Sequence, residues 1–312
     1  MINVQKNEIL QLIEDEKSRL GSYRSVAKKC GVSEATISQL RDGSYQAKGD
    51  DIYMKIALVL DYDFDDKNWK IATDTTDFRI IEEVLNDAKN ESMFIGVSDN
   101  AGCGKTAPSD VYMNRHKKDA VFKINCKEWG ARIFLDKLAR EVGAEIPKGY
   151  GYSAEFIENI AETIKGMASM KPLIIVDQAN SLKPAAICTT IHLFNELEGI
   201  LGFVILGTEN LEFLIKKGVR LNKTGFDEVD SRFGRKYVHL IGATLSDTRK
   251  ICNVNGITDK ELQKHIFNEA EPVNHTIQSG DMAGKQIKVI KDKRRLKKII
   301  QRELLKQKNH AN

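Results

Sequence analysis

Residues 99–106 read DNAGCGKT and place two glycines before a lysine and a threonine, a spacing suited to phosphate binding. Gly102 and Gly104 permit a tight turn whose backbone N–H groups point inward, because glycine adopts positive φ without strain. Lys105 supplies a cation for the β and γ phosphates, and Thr106 supplies a hydroxyl ligand for Mg²⁺ at the start of a helix. The run therefore predicts a nucleoside triphosphate site.

The predicted nucleotide contacts span this phosphate loop and comprise Asn100, Ala101, Gly102, Cys103, Gly104, Lys105, Thr106 and Ala107. Asp99 departs from the usual pattern, in which the loop begins with glycine, but a non-glycine residue fits there if its φ is negative. Pro108 falls in the first turn of the expected helix, where its missing N–H costs little. The alternative is an ordinary strand-to-helix turn with a chance Gly-Lys-Thr.

A second element of such a site is an acidic residue after a buried strand, and the sequence PLIIVDQAN contains one. Asp177 is the candidate Mg²⁺ ligand, and the residue after it is normally a glutamate that activates water. Here it is Gln178, whose amide can position water but cannot accept a proton. We therefore expect binding with slow hydrolysis. Gln178 is either a natural variant that uses ATP mainly as a switch or a deliberate substitution that traps the bound state.

Three further residues are candidates for contacts with the γ-phosphate. Thr208 ends the apolar run GFVILGT and is either a polar sensor or a simple turn residue. Arg232 and Arg235 precede the next strand-like run, where an arginine can project into a neighbouring subunit's site and neutralise transition-state charge. Arg232 is the stronger candidate of the two. The predicted catalytic set is Asp177, Gln178, Thr208 and Arg232.

These residues follow apolar runs that alternate with amphipathic helical patterns. The predicted strands are Ser92–Ser98, Ala120–Cys126, Leu173–Asp177, Gly202–Thr208 and Lys236–Ile241. Helical periodicity separates them, as in ARIFLDKLAREVG and SAEFIENIAETIKGMA. This alternation predicts an α/β domain with a parallel sheet covered on both faces. We assign it to residues 71–245, between a helical domain at 1–70 and a basic helical domain at 246–312.

The net charge of +4 is unevenly distributed along the chain. Residues 285–308 hold eleven Lys and Arg and two acidic residues, a local charge of +9, whereas the remainder sums to −5. This basic tail suggests a polyanionic partner, although a solvated helix face explains many charge runs. The C-terminal region shows no strand-like run before Ile287–Ile290. Its last apolar residues recur at helical spacing and are expected to be core: Leu296, Ile299, Ile300, Leu304 and Leu305.

The run YRSVAKKCGVSEATISQLRDG near the N-terminus has the spacing of a helix-turn-helix. Ala27 is small enough for two helices to cross closely, and Gly31 fits the turn. Ile37 and Leu40 are expected to face the core. The acidic run at 61–70 then reads as a surface connector.

The candidate DNA contacts lie on the second helix of this module and at its cap: Ser33, Thr36, Ser38, Gln39 and Arg41. Gln39 can read adenine and Ser38 can bind a phosphate. However, residues 1–70 contain eleven basic and twelve acidic residues, so their attraction for DNA is poor. Three alternatives therefore stay open for the module: it binds DNA weakly, it binds DNA only when several copies act together in an oligomer, or it contacts proteins. A plain three-helix packing unit is the simplest alternative.

A helix-turn-helix, a GCGKT phosphate loop, an aspartate-ended strand, a GT-ended strand, SRFGRK and a basic C-terminus occur here in that order. Together they resemble the phage Mu B proteins, AAA+ ATPases that serve DNA transposition, and more loosely the IstB-type helper ATPases. The resemblance implies an AAA+ P-loop core with a helical lid. It also implies ATP and Mg²⁺ as cofactors.

For partners, the resemblance implies largely non-sequence-specific binding to duplex DNA by an ATP-bridged homo-oligomer, either a filament or a ring. Such an assembly marks the transposition target and activates a transposase. Carried over to this sequence, the site residues are Lys105 and Thr106 for ATP and Mg²⁺, Asp177 for the metal, Thr208 as first sensor and Arg232 as arginine finger. The second sensor would be Arg294 or Arg295, in KDKRRLKKII.

Two other functions stay open. One is a helix-turn-helix regulator that uses ATP only as a ligand and prefers a defined operator. The other is a P-loop kinase for a small molecule, although the sequence shows no evident acceptor motif.

Composition indicates an ordinary globular protein of the cytoplasm. No window approaches the roughly 18 consecutive apolar residues of a membrane span, and MINVQKNEIL lacks the layout of a signal peptide. Five scattered cysteines without a C-x-x-C pair indicate neither a disulfide framework nor a zinc site. We therefore expect a cytoplasmic location and no membrane partner.

Overall fold

The N-terminal part is all-helical in the computed structural model, which describes residues 3–45, 50–60, 62, 69–147, 153–277 and 284–310. Its helices are α1 (Asn3–Leu20), α2 (Tyr23–Cys30), α3 (Glu34–Arg41) and α4 (Asp50–Val59). Gly31 ends α2 with a φ of 63°, and the Ser33 hydroxyl caps α3 by accepting from the Thr36 N–H at 3.0 Å. Both turn residues thus act as predicted. The acidic connector at 61–70 lies largely outside the described residues.

A five-stranded parallel sheet forms the centre of the molecule. Its strands are β1 (Phe94–Ser98), β2 (Val121–Asn125), β3 (Leu173–Asp177), β4 (Gly202–Gly207) and β5 (Tyr237–Val238), in the order β2-β3-β4-β1-β5. The helices around them are α5 (Thr76–Glu91), α6 (Thr106–Arg115), α7 (Ala131–Val142), α8 (Ser153–Lys165), α9 (Pro184–Leu197), α10 (Glu209–Arg220) and α11 (Phe226–Arg232). The predicted α/β fold is confirmed.

Both faces of the sheet are buried, which explains why the strands read as continuous apolar runs. Ile174 and Val176 of β3 pack into the cluster on one face, whereas Leu173 and Ile175 pack into the cluster on the other. The predicted bounds of β3 are confirmed at both ends. Strand β5 is much shorter than predicted, because only Tyr237 and Val238 pair with β1.

The C-terminal part forms a lid beside the sheet, with α12 (Leu245–Val254), α13 (Lys260–Glu269) and α14 (Lys293–His310). It also contains an antiparallel hairpin of β6 (Val273–Thr276) and β7 (Gln286–Val289). The strand-like run at Ile287–Ile290 overlaps β7, whereas β6 was not predicted. Strand β6 reads VNHT and is mostly exposed, so it carries none of the apolar alternation that marks a half-buried strand.

The basic tail is less available to a polyanion than its count suggested. Arg295 pairs with Glu271 and Arg302 pairs with Glu269, two carboxylates outside the counted residues 285–308. The apolar side of α14 packs into the lid core through Leu296, Ile299 and Ile300, but Leu305 is 60% exposed, so the expected core face is shorter than predicted. No helix in the described ranges has the length and hydropathy of a membrane span.

A buried charge network docks the N-terminal helices on the sheet domain. Arg19 of α1 contacts Glu16 at 2.5 Å and Glu141 of α7 at 3.1 Å, and it donates to the carbonyl of Val121 at 2.7 Å. Lys29 of α2 lies 2.7 Å from the same Glu141. Because Val121 begins β2, the docking site lies at the sheet end opposite the phosphate loop, which follows the C-terminal end of β1.

We expect Arg19→Met to lower the free energy of unfolding by about 3–5 kcal/mol, because it leaves two buried carboxylates with only Lys29 between them. Urea denaturation followed by circular dichroism measures this loss. Arg24→Met, at an exposed site on α2, is the matched control and should change stability by less than about 0.5 kcal/mol. Equal stability of the two variants would contradict a docking role for the network.

Candidate functional site

The phosphate loop lies between β1 and α6, as the sequence predicted. Gly102 has a φ of 84° and Gly104 a φ of 93°, so both positions need the left-handed conformation that glycine tolerates. Thr106 is the first residue of α6, and Pro108 lies within its first turn. The backbone geometry therefore suits an anion at the start of this helix.

Lys105 is buried in the loop, and its ammonium group is bonded to the loop itself. Its Nζ donates to the carbonyls of Asp99 at 2.9 Å and Asn100 at 3.0 Å, and lies 3.0 Å from the Cys103 sulfur. A triphosphate would offer the ammonium stronger, charged acceptors than these carbonyls. The lysine is thus held beside the place where the phosphates would bind.

Asp99 has a structural role that explains why it can replace the usual glycine. It is not among the described residues with positive φ. Its carboxylate accepts the Asn100 N–H and the Leu240 N–H, each at 2.6 Å. The side chain therefore ties the beginning of the loop to the segment that follows β5.

The loop opens into a pocket of 1040 Å³ between the sheet domain and the lid. Its described lining combines the polar residues of the loop with apolar and aromatic side chains. The predicted site residues that line it are Ala101, Gly102, Gly104, Lys105, Thr106, Ala107, Asp177, Gln178, Thr208 and Arg294. The apolar and aromatic lining residues include Trp69, Ile71, Ala72, Phe78, Ile251 and Leu296. Asn100 and Cys103 belong to the loop but are not among the described lining residues.

Asp177 and Gln178 both lie in this pocket. Asp177 is 2% exposed; its Oδ1 accepts the Gln178 N–H at 2.7 Å, and its Oδ2 is buried without a hydrogen bond in the described structure. Gln178 adopts a left-handed conformation with a φ of 55°. Among the described residues that line the pocket, Asp177 is the only carboxylate.

Thr208 follows β4, the strand beside the one that Asp177 ends. Its Oγ1 is buried without a hydrogen-bond partner in the described structure, while its N–H donates to the Asn180 Oδ1 at 3.0 Å. A buried orphan hydroxyl at a pocket wall fits a contact to a ligand. Sequence reasoning missed Asn180, although its position three residues after Asp177 placed it near the same strand end.

The buried Asp177 oxygen also suits a divalent cation. Mg²⁺ at nucleotide sites is commonly held by one or two carboxylates and substrate phosphates, with waters completing the shell, not by a full protein cage. The described residues contain no group of three or more acidic, His or Cys side chains able to hold a metal. The two candidate Mg²⁺ ligands, Asp177 and Thr106, line the same pocket.

The two candidate second sensors are separated by the structure. Arg294 lines the pocket, whereas the Arg295 guanidinium bonds both oxygens of Glu271 at 2.5 Å and is not among the described lining residues. Helix α14 also contacts the loop directly, because the Lys293 N–H donates to the Gly102 carbonyl at 2.9 Å. The lid therefore reaches the phosphate loop through the first turn of α14.

A buried carboxylate that sequence reasoning missed connects the lid to the sheet domain. Asp77 of α5 accepts the N–H groups of Ile241 and Gly242 at 2.9 and 3.1 Å, and it pairs with the Lys293 ammonium at 2.5 Å. These partners lie far along the chain from Asp77. No local pattern could have indicated this contact.

Arg232 and Arg235 are not among the described residues that line the pocket. Arg232 donates to the Asn195 Oδ1 at 2.7 Å, stacks over Phe194, and keeps a buried Nε without a partner in the described structure. Arg235 is half exposed and pairs with Asp227 at 2.8 Å. A role for either arginine in another copy's site stays a prediction.

The candidate DNA contacts occupy the exposed side of α3 only in part. Ser38 and Gln39 are exposed. Ser33 and Thr36 are engaged with each other in the helix cap at 2.8 Å, and Arg41 pairs with Glu14 at 2.6 Å. DNA binding by this module stays a prediction.

Cys103 offers a chemical test of the loop assignment. Burial raises the pKa of its thiol, and the neighbouring Lys105 ammonium only partly offsets that effect. We expect slow alkylation by N-ethylmaleimide that accelerates with pH, and a severalfold slower reaction with ATP bound. Mass spectrometry of the modified peptides measures both rates. Cys188, outside the pocket, is the internal control, and equal protection of both thiols or of neither would contradict the assignment.

A family model matches the part of the chain that holds this site. Residues 90–215 match the model described as an AAA domain, a segment that contains the phosphate loop, Asp177 and Thr208. No curated protein sequence gave a significant match.

Two solved structures also align with part of this chain. Cdc6p from Pyrobaculum aerophilum aligns with 15% identity over 61% of this chain and 52% of that chain, with a TM-score of 0.45. The Aeropyrum pernix ORC2 protein, in ADPNP-ADP complexes, aligns with 14% identity over 61% of this chain and 55% of that chain, with a TM-score of 0.44. This chain therefore spans about half the length of each of these two proteins.

The parallel sheet, the glycine-rich loop at the start of α6 and the match over residues 90–215 lead to one assignment. The central part of the chain is an AAA domain with a P-loop fold, and helical parts lie on both sides of it.

Proposed function

We propose that this protein is an ATP-dependent DNA-binding ATPase of the phage Mu B type. It oligomerises on duplex DNA, marks the transposition target and activates a transposase. The observation that carries the nucleotide part is the convergence of Lys105, the buried Asp177 oxygen and the buried Thr208 hydroxyl on one pocket. The DNA and transposase parts rest on the order of motifs along the sequence.

ATP would bind with its phosphates on the loop and its base against apolar residues of the pocket lining. Lys105 and the loop N–H groups neutralise and orient the phosphates. Trp69, Phe78 and Ile251 provide the apolar surface for the base. Mg²⁺, held through Thr106 and Asp177, would supply charge neutralisation for the β and γ phosphates.

Turnover is expected to be slow because the described lining of the pocket offers no general base. Gln178 lies where a glutamate would take the proton of the attacking water, and the other described lining residues offer no replacement for it. Thr208 and Asn180 can still orient a water molecule by hydrogen bonding. The protein thus holds ATP for long periods.

Assembly would complete the site, because Arg232 is not among the described residues that line the pocket of its own chain. It would neutralise a γ-phosphate in a neighbouring copy. Exposed Phe213 and Leu221, at 59% and 52%, lie on or beside α10 and provide apolar surface for such a contact. Many copies side by side would convert weak single-module contacts into firm DNA binding.

Fluorescence anisotropy on labelled duplex DNA, with ATP, with ADP and without nucleotide, tests this function at fixed ionic strength. We expect binding with ATP that rises steeply with protein concentration and is indifferent to sequence. A DNA-binding curve that shows no cooperativity and is the same with ATP, with ADP and without nucleotide would contradict the proposal.

A second candidate function is favoured by the same absence of a second carboxylate in the described lining. In this alternative ATP is a ligand only, and the protein is a regulator that reads a defined operator. Preference for one sequence over random DNA, with half-sites at a fixed spacing, would support this alternative.

A further inference from the structure

Strand β2 carries a buried lysine where an apolar residue is expected. Lys123 lies opposite Ile175 in the sheet, and its side chain is only 3% exposed. Its neighbours on the strand, Phe122 and Ile124, are buried core residues. Burying an ammonium group costs free energy unless carboxylates pair with it, so we examined which carboxylates lie beside the Lys123 ammonium group.

The two partners of Lys123 belong to the nucleotide site or lie beside it. One is Asp110 of α6, four residues after Thr106 and therefore on the same side of that helix. The other is Asp177, whose Oδ2 lies 3.5 Å from the lysine Nζ. This is the oxygen that has no hydrogen bond in the described structure. The ammonium group thus faces the oxygen that suits Mg²⁺.

We propose that Lys123 is a positioning residue for the metal end of the site, an inference that rests on the proposed ATP function. In the arrangement described here, its ammonium group neutralises the Oδ2 of Asp177. When Mg²⁺ and ATP bind, two cations compete for one carboxylate, and the lysine retreats toward Asp110. Lys123 therefore raises the Mg²⁺ concentration that is needed for Mg²⁺-dependent binding of the nucleotide.

The competition predicts opposite effects for two substitutions. Lys123→Met keeps the approximate length of the side chain and removes its charge. The Mg²⁺ concentration that gives half of the maximal binding of an ATP analogue should therefore fall roughly tenfold. Asp110→Asn removes the partner toward which the lysine retreats, so it should raise that concentration severalfold. Lys118→Met, an exposed lysine outside the described pocket lining, is the matched control and should change nothing.

The measurement is a MgCl₂ titration of N-methylanthraniloyl-ATP fluorescence on the full chain. A purely structural ion pair would lower the melting temperature of Lys123→Met without moving the Mg²⁺ midpoint. An unmoved midpoint in both variants, with analogue binding intact, would overturn the role of Lys123 alone. Failure of the wild-type chain to bind the analogue at any Mg²⁺ concentration would overturn the ATP proposal and this inference together. Asp110 is half exposed, so Asp110→Asn is expected to fold. Its Mg²⁺ midpoint therefore still tests the proposal if Lys123→Met does not fold.

Discussion

Lys105→Ala is expected to weaken ATP binding by about 100-fold or more, which corresponds to roughly 2.7 kcal/mol. Hydrogen bonds to charged groups contribute about 1.5–3 kcal/mol each, and the ammonium group would lose several of them to phosphate oxygens. Isothermal titration calorimetry with ATP measures the change. Because Lys105→Ala loses ATP binding, its ATP-dependent binding to duplex DNA should also disappear.

The design must separate loss of phosphate contacts from damage to the loop. Lys105 also donates to the carbonyls of Asp99 and Asn100, so its removal loosens the loop as well. Melting curves recorded without added nucleotide report that structural loss. Lys118→Ala, at an exposed site beyond α6, controls for the loss of one positive charge. If Lys105→Ala binds DNA as well as the wild-type chain in the presence of ATP, the proposed coupling of ATP to DNA is wrong.

The parts of the site that sequence could predict are those set by local chemistry. Gly102 and Gly104 are needed for positive φ, and the apolar run before Asp177 defines a buried strand by itself. Each of these features is contained within a short stretch of chain. A single sequence therefore indicates them without knowledge of the rest of the chain.

The parts that sequence could not predict depend on residues far apart along the chain. Asp77 meets Lys293 only because α14 folds back onto the start of α5. Asn180 and Thr208 become neighbours through the sheet order. Lys123 lies within the mainly apolar run of β2, and its partners are visible only once α6 and β3 are packed beside it.

The number of charged residues in the C-terminal tail does not by itself predict how much positive charge is available to a ligand. Its count suggested a polyanionic partner or a solvated helix face. Arg295 and Arg302 pair with Glu271 and Glu269, two carboxylates outside the counted residues 285–308. Exposed ion pairs of this kind contribute little stability, but they reduce the net positive charge offered to DNA. The positive charge available to a polyanion is therefore smaller than the sequence count.

Gln178→Glu is expected to raise the rate of ATP hydrolysis by about 100-fold, the lower end of what a positioned general base contributes. The glutamate would lie beside Asp177 in the pocket and could take the proton of a water molecule held by Thr208 and Asn180. Duplex DNA should stimulate this variant further, because assembly on DNA would bring Arg232 to a neighbouring site. Phosphate release under saturating ATP measures the rate.

The matched control is Gln301→Glu, which introduces the same carboxylate into the same pocket from α14. It should leave hydrolysis at the wild-type level, because Gln301 belongs to the lid and does not follow Asp177. If both variants accelerate hydrolysis equally, the effect is one of pocket charge and not of a base at position 178. If neither does, although both bind ATP, the nucleotide acts as a ligand and the regulator function becomes the better description. A fast Gln178→Glu variant beside a slow chain with Gln178 would instead mean that Gln178 holds the protein in its ATP-bound state, so that its assembly on DNA outlasts a single catalytic cycle.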